Sequence, residues 1–189
     1  MTRRELLEDA VDFGKPIFCQ DAIVMFTDVR GFTATSSTMD PMDLAEELSV
    51  YASAIVDIVH EADGFVDAFI GDGTMSFWGY PGISPVAPER ILEAAKRIVV
   101  TSRTLKLGGV PIRTGVGINR GELFMGNVGS DERRQYTVLG DTVNLAARFE
   151  GLTKDFDADV VCSAPFYEKL PLEQRAGFLE EIDVWTRRP

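Results

Sequence analysis

The chain has 189 residues, 45% of them hydrophobic, which suits one globular domain with a substantial core and leaves little room for a second. A net charge of −11 disfavours polynucleotides and anionic membrane surfaces as partners, while a small anion could still be neutralised by divalent metal and a few arginines. No apolar run approaches the roughly 20 residues that span a bilayer, and MTRRELLEDAVDF is charged where a secretory leader would be apolar, so a cytoplasmic protein without membrane attachment is expected.

Thr2 and Glu5 form a capping box that predicts a short helix to about Val11, ended near Pro16. A strand-like apolar run begins at Ala22 and stops at Asp28. Leu44, Leu48, Tyr51, Ile55, Val59 and Ala62 recur at spacings of three and four, which predicts a long amphipathic helix from Asp43 to Ala62 behind Asp40-Pro41. Phe65 to Ile70 and Thr74 to Trp78 flank Gly71-Asp72-Gly73 and predict a hairpin with Asp72 at its tip. Pro88-Glu89 opens a second helix, with Ile91, Ala95, Ile98, Ser102 and Leu105 on one stripe and Gly108-Gly109 closing it.

Further on, Ile112 to Asn119 and Glu122 to Val128 are expected to pair around Arg120-Gly121, and Tyr136 to Leu139 is a short strand. Asp141 is the expected N-cap of a helix through TVNLAARFEG to Gly151. A strand at Asp159 to Cys162, a helix at Ala164 to Leu170 and a strand at Phe178 to Trp185 complete the pattern. Adjacent hairpins with helices between them predict an α+β fold, a ferredoxin-like βαββαβ core whose largely antiparallel sheet is covered by helices on one face. Cys19 and Cys162 lack CxxC spacing and are expected to be reduced thiols. His60 is read as a surface side chain, and Met25, Met75 and Met125 as core filler.

Asp28 and Asp72 each stand where an apolar strand stops, and neighbouring strands would bring them close enough to share divalent ions, which commonly sit on a few carboxylates plus substrate phosphates. Either aspartate alone would suit an ordinary turn. After Asp28 comes Arg30-Gly31-Phe32-Thr33, where glycine permits close approach to phosphate and exposed N–H groups can cradle it. Asn144 and Arg148, one turn apart on the predicted helix, can reach one ligand together: an amide to fix a ribose, a guanidinium to stabilise growing phosphate charge.

FTDVRGFT, FIGDGTMSFWG, GVGINRGELFMGNVGS and YTVLGDTVNLAAR, in this order and spacing, resemble the catalytic domain of class III nucleotide cyclases from about Ala22 to Leu170. The resemblance implies conversion of a nucleoside triphosphate to a 3′,5′-cyclic monophosphate and pyrophosphate by a homodimer with two active sites at its interface. With residues 1–20 read as an N-terminal helix and lead-in, residues 21–189 are expected to form a single cyclase domain. Asp28 and Asp72 of one subunit, with the Val29 carbonyl, would hold two Mg²⁺ or Mn²⁺ ions per site; amides of Gly31, Phe32 and Thr33 would contact phosphate; Asn144 and Arg148 would come from the other subunit.

In the adenylyl cyclases that the chain resembles most, a lysine four residues before the second metal aspartate reads adenine. Here that position is Ala68, and Thr137 aligns with the lysine's usual partner. Losing a charged donor to the base forfeits about 1.5–3 kcal/mol, or roughly ten- to a hundredfold in discrimination. By elimination this places UTP or CTP ahead of ATP, with guanine last, and links the chain to bacterial pyrimidine cyclases that make an antiviral signal for a separate cyclic-nucleotide-sensing effector. The alternatives are an adenylate cyclase and, behind it, a guanylate cyclase or a catalytically silent nucleotide-binding dimerisation module. Where the family often continues through a Lys-Gly segment, this chain ends in WTRRP, and Arg187 and Arg188 are read as a frayed tail. Arg133 and Arg134 flank the hairpin that forms a dimer arm in relatives.

Overall fold

The computed structural model describes residues 17–80, 87–129 and 134–178. The expected N-terminal helix, Arg133, the side chain of Arg134, Arg187, Arg188 and all but the first residue of the expected last strand lie outside the described residues. Among the described residues no helix is long and apolar enough to cross a membrane.

Strand β1 (Ile17–Val29) lies in the middle of the sheet. Its run Ala22 to Met25 is buried at every position, because both faces of the sheet are covered, and so it reads as continuous apolar sequence with no alternation. A short helix α1 (Phe32–Ser36) leads to α2 (Pro41–Glu61). Asp40 caps α2 by accepting the Met42 N–H at 2.8 Å, and Tyr51, Ile55, Ile58 and Val59 are the residues it buries. The hairpin β2 (Phe65–Ile70) and β3 (Gly73–Trp78) follows, then α3 (Pro88–Thr104), the small hairpin β4 (Lys106–Leu107) and β5 (Val110–Pro111), and the long strand β6 (Thr114–Gly129). The chain continues through β7 (Arg134–Leu139), α4 (Asp141–Asp155), β8 (Val160–Cys162), α5 (Ala164–Tyr167) and α6 (Leu172–Arg175).

The main sheet runs β2-β3-β1-β6-β7, antiparallel throughout, with β8 parallel to β6. Its segment β1-α2-β2-β3-α3-β6 is the expected ferredoxin-like βαββαβ unit. Ile23, Met25, Val116 and Ile118 face α2 and α3 in one core; Val24, Met75, Phe77, Leu123, Met125 and Val138 form a second on the other face with Ala146 of α4. Helices therefore cover both faces, not one. Cys19 and Cys162 are free thiols, as expected.

Several elements differ from those expected. Arg120-Gly121 is not a turn: β6 continues through it, paired with Ile23 and Ala22, and Arg120 is held extended by a two-pronged bond to Asp21. Gly108 and Gly109 do not simply close α3 but form the positive-φ tip of the β4–β5 hairpin. Asp141 is the first residue of its helix and Gly140 the N-cap, with no side-chain capping bond; that helix passes Gly151 by a further turn, to Asp155, while the one expected at Ala164 to Leu170 stops at Tyr167.

Gly117 sets how closely α4 lies on β6. A Cβ there would stand 2.1 Å from the Glu150 backbone nitrogen and 2.4 Å from the Ala146 carbonyl oxygen, so the helix itself would have to move. Gly117→Ala is expected to destabilise the domain by about 3 kcal/mol, read as a lower urea midpoint at unchanged slope. An unchanged midpoint would show that α4 has slack against the sheet.

Candidate active site

The β2–β3 turn delivers Asp72 to the end of β1. Thr27 pairs with Thr74 across the strands, their hydroxyls 2.8 Å apart, and Asp72 Oδ2 accepts the Val29 N–H at 3.0 Å. Glycine at position 73 allows this approach, because a Cβ there would lie 2.4 Å from the Thr27 carbonyl oxygen. Asp28 and Asp72 thus come together as expected, on a floor of buried hydroxyls. In that floor Tyr51 and Thr114 are joined at 3.1 Å, and Thr114 donates to Ser102 at 2.9 Å. Burial pushes the Tyr51 hydroxyl up to about 12, so it stays neutral beneath the acids.

Charge is crowded here. Burial, then the negative charge of Asp28, raises the Asp72 carboxyl above the usual range. The same two causes raise Glu150 on α4, whose Oε1 is buried and accepts no hydrogen bond from the described residues. Lys154, on the last turn of α4, meets Asp28 Oδ2 at 2.6 Å. Neither Glu150 nor Lys154 was singled out from the sequence. The only available signal was their one-turn spacing, common on any helix surface.

The Arg30 guanidinium is taken up at the end of α4. It donates to Asp157 Oδ1 at 2.9 Å, to the Thr153 carbonyl at 2.8 Å and to the Ala158 carbonyl, tying the end of β1 to the end of α4. Gly31 caps α1 with φ 72°, and Phe32 and Thr33 open that helix, where N–H groups lack partners inside the helix. Asn144 and Arg148 lie on the exposed side of α4, while Thr142, Ala146 and Thr153 are its buried residues. Among the described residues, no hydrogen bond or ion pair joins Asn144 or Arg148 to Asp28 or Asp72.

At the expected base-reading position the structure changes the cast. β2 carries a bulge between Val66 and Ala68, and Asp67 is the unpaired residue. Ala68 packs against the second core, and it is Asp67 whose Oδ2 accepts from Thr137 Oγ1 at 2.7 Å. The bond spans β2 and β7, opposite ends of the strand order, so the sheet curls until side chains of its two edges meet. Burial raises the Asp67 carboxyl.

Among the described residues no group of three or more His, Cys, Asp or Glu side chains is arranged to hold a metal. The pair Asp28 and Asp72 nonetheless fits Mg²⁺ or Mn²⁺: both are hard oxygen donors, their mutual repulsion is what a cation relieves, and such ions often take only one or two carboxylates besides substrate phosphates.

A curled ferredoxin-like sheet with two acids at adjoining strand ends is the architecture shared with class III nucleotide cyclase catalytic domains. The chain belongs to the adenylate and guanylate cyclase catalytic domain family, whose model matches residues 18–174. It is 35% identical over 159 residues to adenylate cyclase 1 of Rhizobium meliloti (79% of this chain, 23% of the relative). It is 35% identical over 142 residues to an adenylate cyclase of Anabaena cylindrica (73% and 28%). The chain therefore spans less than a third of the length of these curated relatives. Among solved structures, the adenylyl cyclase CyaB from P. aeruginosa superposes with a TM-score of 0.69 at 28% identity, covering 82% of this chain and 81% of that one. A bacterial light-regulated adenylyl cyclase shares the fold at TM-score 0.78 and 23% identity, over 92% of this chain and 52% of that one.

Proposed function

We propose that this domain is a nucleotide cyclase that converts ATP to cyclic AMP and pyrophosphate as a homodimer. The observation that carries this is the Asp28–Asp72 pair, set at adjoining strand ends by the Thr27–Thr74 register. These aspartates and the Val29 carbonyl would hold two Mg²⁺ or Mn²⁺ ions, which supply charge that acidifies the ribose 3′-hydroxyl and screens the triphosphate. The 3′ oxygen forms its bond to the α-phosphorus as the bond to pyrophosphate breaks, and the hydroxyl proton leaves to solvent. Amides of Gly31, Phe32 and Thr33 contact phosphate. Asn144 and Arg148 of the partner subunit orient the ribose and stabilise transition-state charge.

A second subunit is supported by an exposed apolar row. Phe18, Phe124 and Leu139 are 44%, 52% and 49% exposed and lie side by side across β1, β6 and β7, the two rings 4.9 Å apart. A second copy would cover this row.

The curated relatives named above are adenylate cyclases, which favours ATP over the pyrimidine substrates expected from Ala68. Asp67 supplies a polar partner that Ala68 lacks. Once the bond between the two opens, the Asp67 carboxylate can accept from an exocyclic amino group while the Thr137 hydroxyl turns its proton to the neighbouring ring nitrogen, the pattern adenine presents. Cytosine presents the same pattern, so CTP is the second reading; uracil does not. The antiviral role is tied to a pyrimidine product and is no part of the ATP reading, in which a separate effector would read cyclic AMP.

Turnover of ATP, GTP, CTP and UTP at equal concentration with Mn²⁺ tests this. ATP is expected to exceed UTP at least about tenfold, and Asp67→Ala to erase most of that margin. A preference for UTP would overturn the substrate.

A further inference from the structure

The last turn of α4 brings an ammonium group into the acid pair. Lys154 Nζ lies 2.6 Å from Asp28 Oδ2 and 3.9 Å from Glu150 Oε1, on a side chain that remains 49% exposed. Among the described residues Glu150 Oε1 is buried and accepts no hydrogen bond, and with Lys154 already 3.9 Å away it offers a second seat for the same charge. The backbone beneath is fixed, because Arg30 grips the Thr153 and Ala158 carbonyls on either side of Lys154. Transfer of the ammonium from Asp28 to Glu150 therefore needs only a change of rotamer in a flexible stem.

We propose that Lys154 is a built-in counter-ion of the acid pair, which a divalent cation displaces from Asp28 toward Glu150. The inference rests on the metal-holding role of Asp28 and Asp72 given above, and adds the residue that sets how tightly the cation is held. A cation arriving at Asp28 meets a positive charge already in place, and must break that contact before the carboxylate is free. Once moved, the ammonium neutralises Glu150, whose charge would otherwise stand beside an incoming triphosphate. The arrangement lowers the affinity of the nucleotide-free protein for metal and makes firm metal binding wait for the substrate's own phosphates.

Free Mn²⁺, measured by its electron paramagnetic resonance signal during titration of the nucleotide-free protein, tests this directly. Lys154→Met is expected to tighten Mn²⁺ binding about tenfold, while Lys154→Arg, which keeps the charge, stays within about twofold of the parent. Lys154→Gln replaces Met if that variant does not fold. Equal or weaker Mn²⁺ binding by the neutral variant overturns the proposal. Asp28→Asn titrated in parallel separates the two levels. If it loses Mn²⁺ while Lys154→Met matches the parent, Lys154 alone is misassigned; if it binds Mn²⁺ like the parent, the metal site falls and the counter-ion with it.

Discussion

Asp72→Asn is expected to cut formation of cyclic nucleotide at least about a thousandfold while leaving the domain folded and no less stable. Asparagine keeps a side-chain oxygen for the Val29 N–H, so the turn retains the 3.0 Å bond that places it, but it removes half of the negative charge that would grip the cations. Stability should move the other way. Burial and the neighbouring Asp28 raise the folded carboxyl of Asp72 above its unfolded value. A raised acid stabilises fully below its unfolded pKa and loses that contribution as pH rises through the folded one, so at neutral pH the ionised Asp72 weakens the fold. A neutral amide removes the repulsion. Melting temperature at neutral pH, measured without metal, should therefore hold or rise as activity vanishes, the signature of a residue kept for function. Retained turnover would refute the metal assignment, and a collapsed melting temperature would refute the electrostatic account.

The juxtaposed pair Asp28 and Asp72 was legible because each ends an apolar strand, a pattern that survives without knowledge of pairing. The long helix was legible for a similar reason: Tyr51, Ile55 and Val59 repeat at helical spacing and are all buried. What the sequence did not disclose depends on register and long-range contact. Asp67 rather than Ala68 meets Thr137 because one bulge shifts the strand by a residue, and a residue's shift exchanges the two faces. Lys154 reaches Asp28 across 126 positions of chain, a contact no local window contains. Arg120-Gly121 looks like a hairpin turn, yet Asp21 on the neighbouring strand holds the arginine extended. Gly121 is needed for a different reason: a Cβ there would stand 2.6 Å from Thr142 Oγ1 at the start of α4.

Two dead variants are expected to revive each other. Arg148→Ala should lower turnover about a hundred- to a thousandfold, through loss of charge stabilisation in the transition state. Asp72→Asn fails by loss of metal. If each site takes its acids from one subunit and its guanidinium from the other, a heterodimer of the two variants carries one site with both defects and one with none. Random pairing in an equal mixture makes half the dimers mixed, each with one of two sites intact, so about a quarter of parental activity should return. The geometry motivates this: Asn144 and Arg148 occupy the exposed side of α4, while Lys154 and Glu150 at the same helix's far end belong to the acids of their own subunit. Recovery should follow subunit exchange and fail when exchange is blocked by crosslinking each parent dimer first. If mixed dimers form and activity does not return, Arg148 serves the acids of its own chain, and α4 must bend or the apolar row must pair in some other way.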